Sequence, residues 1–202
     1  DPIAAQKYFG FNNALPIVLV MGGSQGAHSI NQAVFDSLPD LLTRCQMIHI
    51  TGNTDWHIAE RVKEDQPEDL KARYAPFAYL HEEMRFALSC ARLVVSRAGA
   101  STLGEYPAFG LPAVLVPYPY AWHYQAENAE YLSSRGAAAL LPDEQLKERL
   151  VGTVHELLND PDRLRNMSES MRRLHQPDAA TRIADLARRL ALGEPMPKET
   201  SP

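Results

Sequence analysis

The chain has 202 residues, 45% of them hydrophobic, and a formal net charge of −5 at pH 7. That is enough apolar material for one large α/β domain or two small ones, and it excludes a disordered chain. The slight acidity, with no basic run and no basic side chains interleaved with aromatics, argues against a nucleic-acid partner. A small anionic ligand stays compatible, because local dipoles can outweigh overall charge. Cys45 and Cys90 are far apart and lack metal or redox spacing, which predicts buried thiols in a reducing compartment. No segment has the apolar length of a membrane span. The start Asp1-Pro2-Ile3 is neither a signal peptide nor an initiator methionine, so we expect a cytosolic fragment or excised domain.

In chain order, apolar runs predict strands over 17–21, 47–51, 74–80, 93–96, 113–117 and 137–141. Helical periodicity predicts helices over 29–44, 55–65, 82–90, 102–109, 123–135, 143–159, 161–174 and 177–192. Strands separated by helix-length segments imply crossovers, hence a Rossmann-like, doubly wound parallel sheet of about six strands in an α/β domain over 15–192. Residues 193–202 hold three prolines and no apolar period, the pattern of a flexible tail.

The first strand runs into Gly22-Gly23-Ser24-Gln25-Gly26-Ala27. Glycines turn the chain sharply and keep side chains clear of a ligand, and the helix that follows presents unpaired N–H groups and partial positive charge. The loop is either an anion site, most readily for nucleotide phosphates, or an ordinary tight connection. It matches neither G-x-G-x-x-G nor a P-loop with its Lys-Ser/Thr pair.

In a doubly wound sheet, ligands lie beyond the carboxyl ends of the strands. The fourth strand leads there into Arg97-Ala98-Gly99-Ala100-Ser101-Thr102-Leu103-Gly104-Glu105. Thr102-x-x-Glu105 has the spacing of a capping box, with Thr102 capping the helix and Glu105 reaching back. Alternatively, N–H groups and hydroxyls of Ala100, Ser101 and Thr102 hold a diphosphate while Glu105 accepts from both hydroxyls of a ribose. Pro107 should keep this helix short or bent. A third loop leads into His123-Tyr124-Gln125-Ala126-Glu127-Asn128-Ala129, where Gln125 and Asn128 share a helical face and can read sugar hydroxyls or simply face solvent. His123 is a candidate base, an anion contact or a plain surface residue.

These three loops, together with Gly110-Leu111-Pro112-Ala113 ahead of a Val-Pro strand end, resemble the C-terminal half of the MurG family of glycosyltransferases over about residues 15–190. The resemblance implies the donor half of a two-domain GT-B enzyme, with residues 1–14 as the interdomain segment. Such an enzyme transfers N-acetylglucosamine from UDP-N-acetylglucosamine to the lipid-linked muramyl-pentapeptide, with inversion and with neither metal nor cofactor. Carried over by position, the resemblance places Gly23, Ser24 and Gln25 in the first loop, with Ser24 on a phosphate. Ala100, Ser101 and Thr102 would line the diphosphate, Glu105 would bind the ribose, and Gln125 would read the sugar with Asn128 supporting the loop. Backbone groups at Leu80 and His81 would meet the uracil, although His81 replaces a usually apolar residue.

The acceptor site, the proposed base histidine and the membrane-facing surface belong to the N-terminal domain in that family. No catalytic residue is therefore expected in this chain, which alone should be inactive, while the intact protein would sit in the cytoplasm on the inner face of the cell membrane. Two other readings are another GT-B enzyme, such as a nucleotide-sugar 2-epimerase or a transferase with a different acceptor, and a non-catalytic UDP-sugar-binding module with a separate partner subunit. An epimerase would need further carboxylates and histidines around the sugar, and the Gly-Gly-Ser-Gln-Gly-Ala loop argues against it.

Overall fold

The computed structural model describes residues 1–12, 14–23, 26–120 and 124–195. Its strands are β1 (Ile17–Met21), β2 (Gln46–Ile50), β3 (Tyr74–Phe77), β4 (Leu93–Ser96), β5 (Ala113–Leu115) and β6 (Ala138–Leu140). Its helices are α1 (Pro2–Tyr8), α2 (His28–Leu42), α3 (Trp56–Glu64), α4 (Glu68–Lys71), α5 (Met84–Cys90), α6 (Thr102–Phe109), α7 (Tyr124–Ser133), α8 (Leu146–Leu158), α9 (Pro161–Arg173) and α10 (Ala179–Leu192). A short 3-10 turn, Asp143–Gln145, precedes α8.

All six strands run parallel in the order β3-β2-β1-β4-β5-β6. Parallel neighbours need crossovers, and the crossovers cover both faces, so β1 is apolar throughout and alternates between two cores. Val18 and Val20 face α2, α8 and α9 through Ile30, Val34, Leu38, Leu150, Val154 and Leu164. Ile17 and Leu19 face the other way, toward Leu88, Tyr106, Ala129, Leu132 and Met171.

The sixfold parallel sheet expected from the sequence is present, with strands slightly shorter than the apolar runs. Residues 78–80 leave the sheet after Phe77, and the helix expected from 82 starts at Met84, after a turn in which the Glu83 carboxylate accepts the His81 N–H at 3.1 Å. Helix α1 was not foreseen. Asp1 caps it by accepting from Ile3 N–H at 2.9 Å, and Pro2 occupies its first turn, where a missing N–H costs nothing. Phe9 and Phe11 beyond it are buried in the second core. Residues 196–202, most of the expected tail, lie outside the described residues. Among the described residues no helix is long and apolar enough to cross a membrane.

Candidate functional site

The strand order reverses between β1 and β4, so the connections leaving their carboxyl ends go to opposite faces and open a crevice between them. The first loop leaves β1 and the second leaves β4, which brings the two predicted anion sites to the two walls of that crevice.

The first loop is shaped by close backbone approach. A Cβ on Gly26 would collide with the Thr51 carbonyl, and Gly26 adopts φ +79°, where only glycine is unstrained. A Cβ on Gly22 would collide with the Ala27 nitrogen. The Gly26 N–H donates to the Gly23 carbonyl at 3.0 Å, and α2 then begins at His28 without a side-chain cap. Gly23 is exposed at the mouth of this turn. The other first-loop candidates, Ser24 and Gln25, lie outside the described residues, as does His123.

The second loop is fastened at almost every residue. Ser96 donates to the Arg97 carbonyl at 2.9 Å and receives the Tyr106 hydroxyl at 2.7 Å, which ties α6 to the end of β4. Asn128, from α7, donates to the Ala98 carbonyl at 3.0 Å. The Thr102 hydroxyl donates to the Gly99 carbonyl at 2.6 Å. Among the described residues the N–H groups of Ala100 and Ser101 have no partner, leaving two donors at the start of α6.

The capping-box reading of Thr102 and Glu105 fails here. Ser101 occupies the cap position, Thr102 is already the first helical residue, and neither side chain caps the helix. The reason is register: with Ser101 at the cap, the third helical position is Gly104, so Glu105 falls one residue past the position from which a capping box reaches back, and the Thr102 hydroxyl donates to the Gly99 carbonyl instead. Its carboxylate is exposed, hydrogen-bonded to none of the described residues, and shifted above its ordinary pKa by partial desolvation. Glu105 is thus an available acceptor in the first helical turn, two residues before Pro107 in this eight-residue helix.

Gln125 and Asn128 share a face of α7 but do different things. Gln125 Oε1 accepts the Tyr118 N–H at 2.9 Å, which ties the third loop to α7 and leaves the amide N–H groups of Gln125 without a partner among the described residues. Asn128 spends its amide on the second loop, as above. Beyond the end of β3, Leu80 has a buried side chain, yet its N–H and C=O make no hydrogen bond among the described residues. The His81 N–H is engaged by Glu83, so Leu80 offers the freer backbone edge of the pair.

Nothing in the local sequence pattern pointed to the task of Arg97 or to its partners. Its guanidinium donates to the Asp143 carboxylate, to Ser29 Oγ at 2.7 Å and to the Val116 carbonyl at 3.2 Å, and it lies 5.1 Å from the Tyr118 ring centroid. Ser29 in turn donates to Asp143 at 2.8 Å. One side chain therefore binds the start of α2, the end of β5 and the turn before α8. With Asp143 against it and the Arg97 side chain only 11% exposed, the cation is neutralised within the scaffold. The lone Asp-x-Asp triplet, Asp160-Pro161-Asp162, is a helix start: Asp160 accepts the Arg163 N–H at 2.9 Å and Asp162 pairs with Arg165.

The model of the glycosyltransferase family 28 C-terminal domain matches residues 17–185. A curated relative from Roseiflexus is 44% identical over 95% of this chain and 48% of its own length; it is named UDP-N-acetylglucosamine--N-acetylmuramyl-(pentapeptide) pyrophosphoryl-undecaprenol N-acetylglucosamine transferase. A relative of the same name from Chlorobium limicola is 40% identical over 89% of this chain and 48% of its own length. The crystal structure of MurG from Acinetobacter baumannii superposes with a TM-score of 0.70 at 26% identity, covering 92% of this chain and 53% of that one. The chain thus spans about half the length of the curated relatives it matches. With a doubly wound sheet of the same architecture and a family match across nearly the whole folded region, this chain belongs to the glycosyltransferase family 28 C-terminal domain family.

Proposed function

We propose that the chain is the donor-binding half of an inverting transferase that moves N-acetylglucosamine from UDP-N-acetylglucosamine to the lipid-linked muramyl-pentapeptide. The observation that carries this reading is the crevice at the β1/β4 reversal, with a glycine turn on one wall and, on the other, N–H groups one helical turn from Glu105, none of them partnered among the described residues. The names of the relatives support the choice of sugar and acceptor.

Uracil would pair with the Leu80 backbone, and Glu105 would accept from both ribose hydroxyls. The diphosphate would lie between Gly23, Ser24 and Gln25 on one side and Ala100, Ser101 and Thr102 on the other. The starts of α2 and α6 aim their dipoles there, so negative charge developing on the departing UDP is stabilised by groups that need no reorganisation. Gln125 reaches the sugar with its free amide hydrogens. The acceptor hydroxyl attacks the anomeric carbon from the side opposite UDP, and the groups that activate it are assigned to the part of the relatives' length that this chain does not match. That part would also carry the contact with the inner face of the membrane.

Titration calorimetry tests the reading. UDP should bind this chain, and Glu105→Ala should weaken binding by about 1.5–3 kcal/mol, the range for hydrogen bonds to a charged group. Thermal stability should stay unchanged, because Glu105 caps nothing. No heat at millimolar UDP refutes the site; a lower Tm with unchanged UDP affinity returns Glu105 to a structural role.

A further inference from the structure

A buried polar chain lies beneath the first loop. Asn31 donates from Nδ2 to the Thr51 carbonyl and to the Asp55 carboxylate, each at 2.8 Å. Both partners only accept, so the amide orientation is forced, and its Oδ1 faces His49 Nε2 at 3.0 Å. His49 is fully buried, and desolvation pushes its pKa down to about 3, so the ring is neutral. Nε2 must then carry the proton, which leaves Nδ1 to accept from the Tyr74 hydroxyl at 2.9 Å.

The run of donors from Tyr74 through His49 and Asn31 therefore ends on Asp55, with the second Asn31 amide hydrogen on the Thr51 carbonyl. That carboxylate is 4% exposed and has, among the described residues, one further side-chain partner, Nδ1 of His28, 3.1 Å from each of its oxygens. Because a carboxylate only accepts, His28 Nδ1 must be a donor, and this fixes which ring nitrogen is left over. The His28 side chain is 72% exposed, and its Nε2 has no partner among the described residues. His28 directly follows the glycine turn, as the first residue of α2.

We infer that His28 is a diphosphate contact, oriented by Asp55 and the buried Asn31–His49–Tyr74 chain behind it, for either a nucleoside diphosphate or a diphosphate-bearing acceptor. The inference rests on the donor-site reading above. An exposed imidazole is ordinarily mobile; a carboxylate that is itself buried and held by Asn31 aims this one. Arg97, the cation of the second loop, is neutralised by Asp143 and is committed to the scaffold rather than to an anion in the crevice. With Nδ1 committed, donation from Nε2 uses the doubly protonated ring, so the anion sits across the imidazolium from Asp55.

The test is calorimetry on this chain and its His28→Gln and His28→Arg variants, with UDP, uridine and inorganic pyrophosphate as probes. His28→Gln should lower UDP affinity about tenfold, the factor for one charge-assisted hydrogen bond, leave uridine unaffected, and be partly restored in His28→Arg. If UDP affinity holds but pyrophosphate binding to the UDP-saturated chain drops tenfold, His28 serves the acceptor's diphosphate. Equal losses for UDP and uridine, or no loss for either diphosphate probe, overturn the inference. Should the unmodified chain fail to bind UDP, the donor-site reading falls, and pyrophosphate titration of the chain against His28→Gln still decides the contact.

Discussion

His49 offers a quantitative check on the polar chain that holds Asp55. In the folded chain, burial lowers its pKa from 6.5 to about 3, opposed only in part by the Asp55 charge. The native ring is neutral while the unfolded ring takes up a proton as pH falls below about 6.5, so the unfolded state binds more protons through that window. The stability His49 contributes as a neutral residue is therefore complete above about pH 6.5 and is lost progressively as pH falls toward 3. By about pH 5 the loss from this residue reaches about 2 kcal/mol, a figure set by the unfolded value, since the folded ring remains neutral throughout that interval. Urea unfolding followed by circular dichroism at about pH 8, 6.5 and 5 measures it. Each curve of the original chain should be compared with that of His49→Gln at the same pH, which removes contributions from the other titrating groups. The variant should be less stable at high pH, where it breaks the chain from Tyr74 to Asn31, and the gap should narrow by about 2 kcal/mol on acidification. Parallel loss in both proteins would mean that His49 is not held neutral, and the donor directions derived from it would fall too.

Two other substitutions separate recognition from scaffolding. Gln125→Ala should weaken UDP-N-acetylglucosamine binding by about 1–2 kcal/mol more than UDP binding, as expected for lost hydrogen bonds to the sugar; an equal effect on both ligands in calorimetry removes Gln125 from sugar recognition. Asp143→Ala leaves the Arg97 guanidinium without its carboxylate at a largely buried position and should cost about 3 kcal/mol in urea unfolding, the lower end for breaking such a pair because Ser29 and the Val116 carbonyl remain. A loss below about 1 kcal/mol would place this pair with ordinary surface ion pairs.

Much of the architecture is written in local pattern. The run Ile17–Met21 is apolar at every position because crossovers cover both faces, and this distinguishes a parallel strand buried on both sides from a half-exposed one. The glycines at 22 and 26 were legible as a ligand-sized turn, although only the fold shows that Gly26 is needed for the approach of the Thr51 carbonyl. Helix α1 had a readable signal in Asp1-Pro2, a cap followed by proline, but at seven residues it lacks an amphipathic period long enough to register.

The sequence alone determined the alternation of elements, the three loops and their order, because backbone propensity and hydrophobic periodicity act over a few residues. It could not decide what each polar side chain would choose. Thr102-x-x-Glu105 fits a capping box by spacing, yet the helix takes Ser101 as its cap, which puts Glu105 one residue past the position that could reach back. Arg97 and Asp143 are 46 residues apart, Ser29 and Asp143 are 114 apart, and His28 and Asp55 are 27 apart. Such pairings depend on which groups the assembled sheet brings within hydrogen-bond reach and shields from water, and that is set only when the strands come together. Tertiary structure thus turned Arg97 from a loop residue without a task into a clamp, and His28 from an unremarked helix residue into an oriented donor.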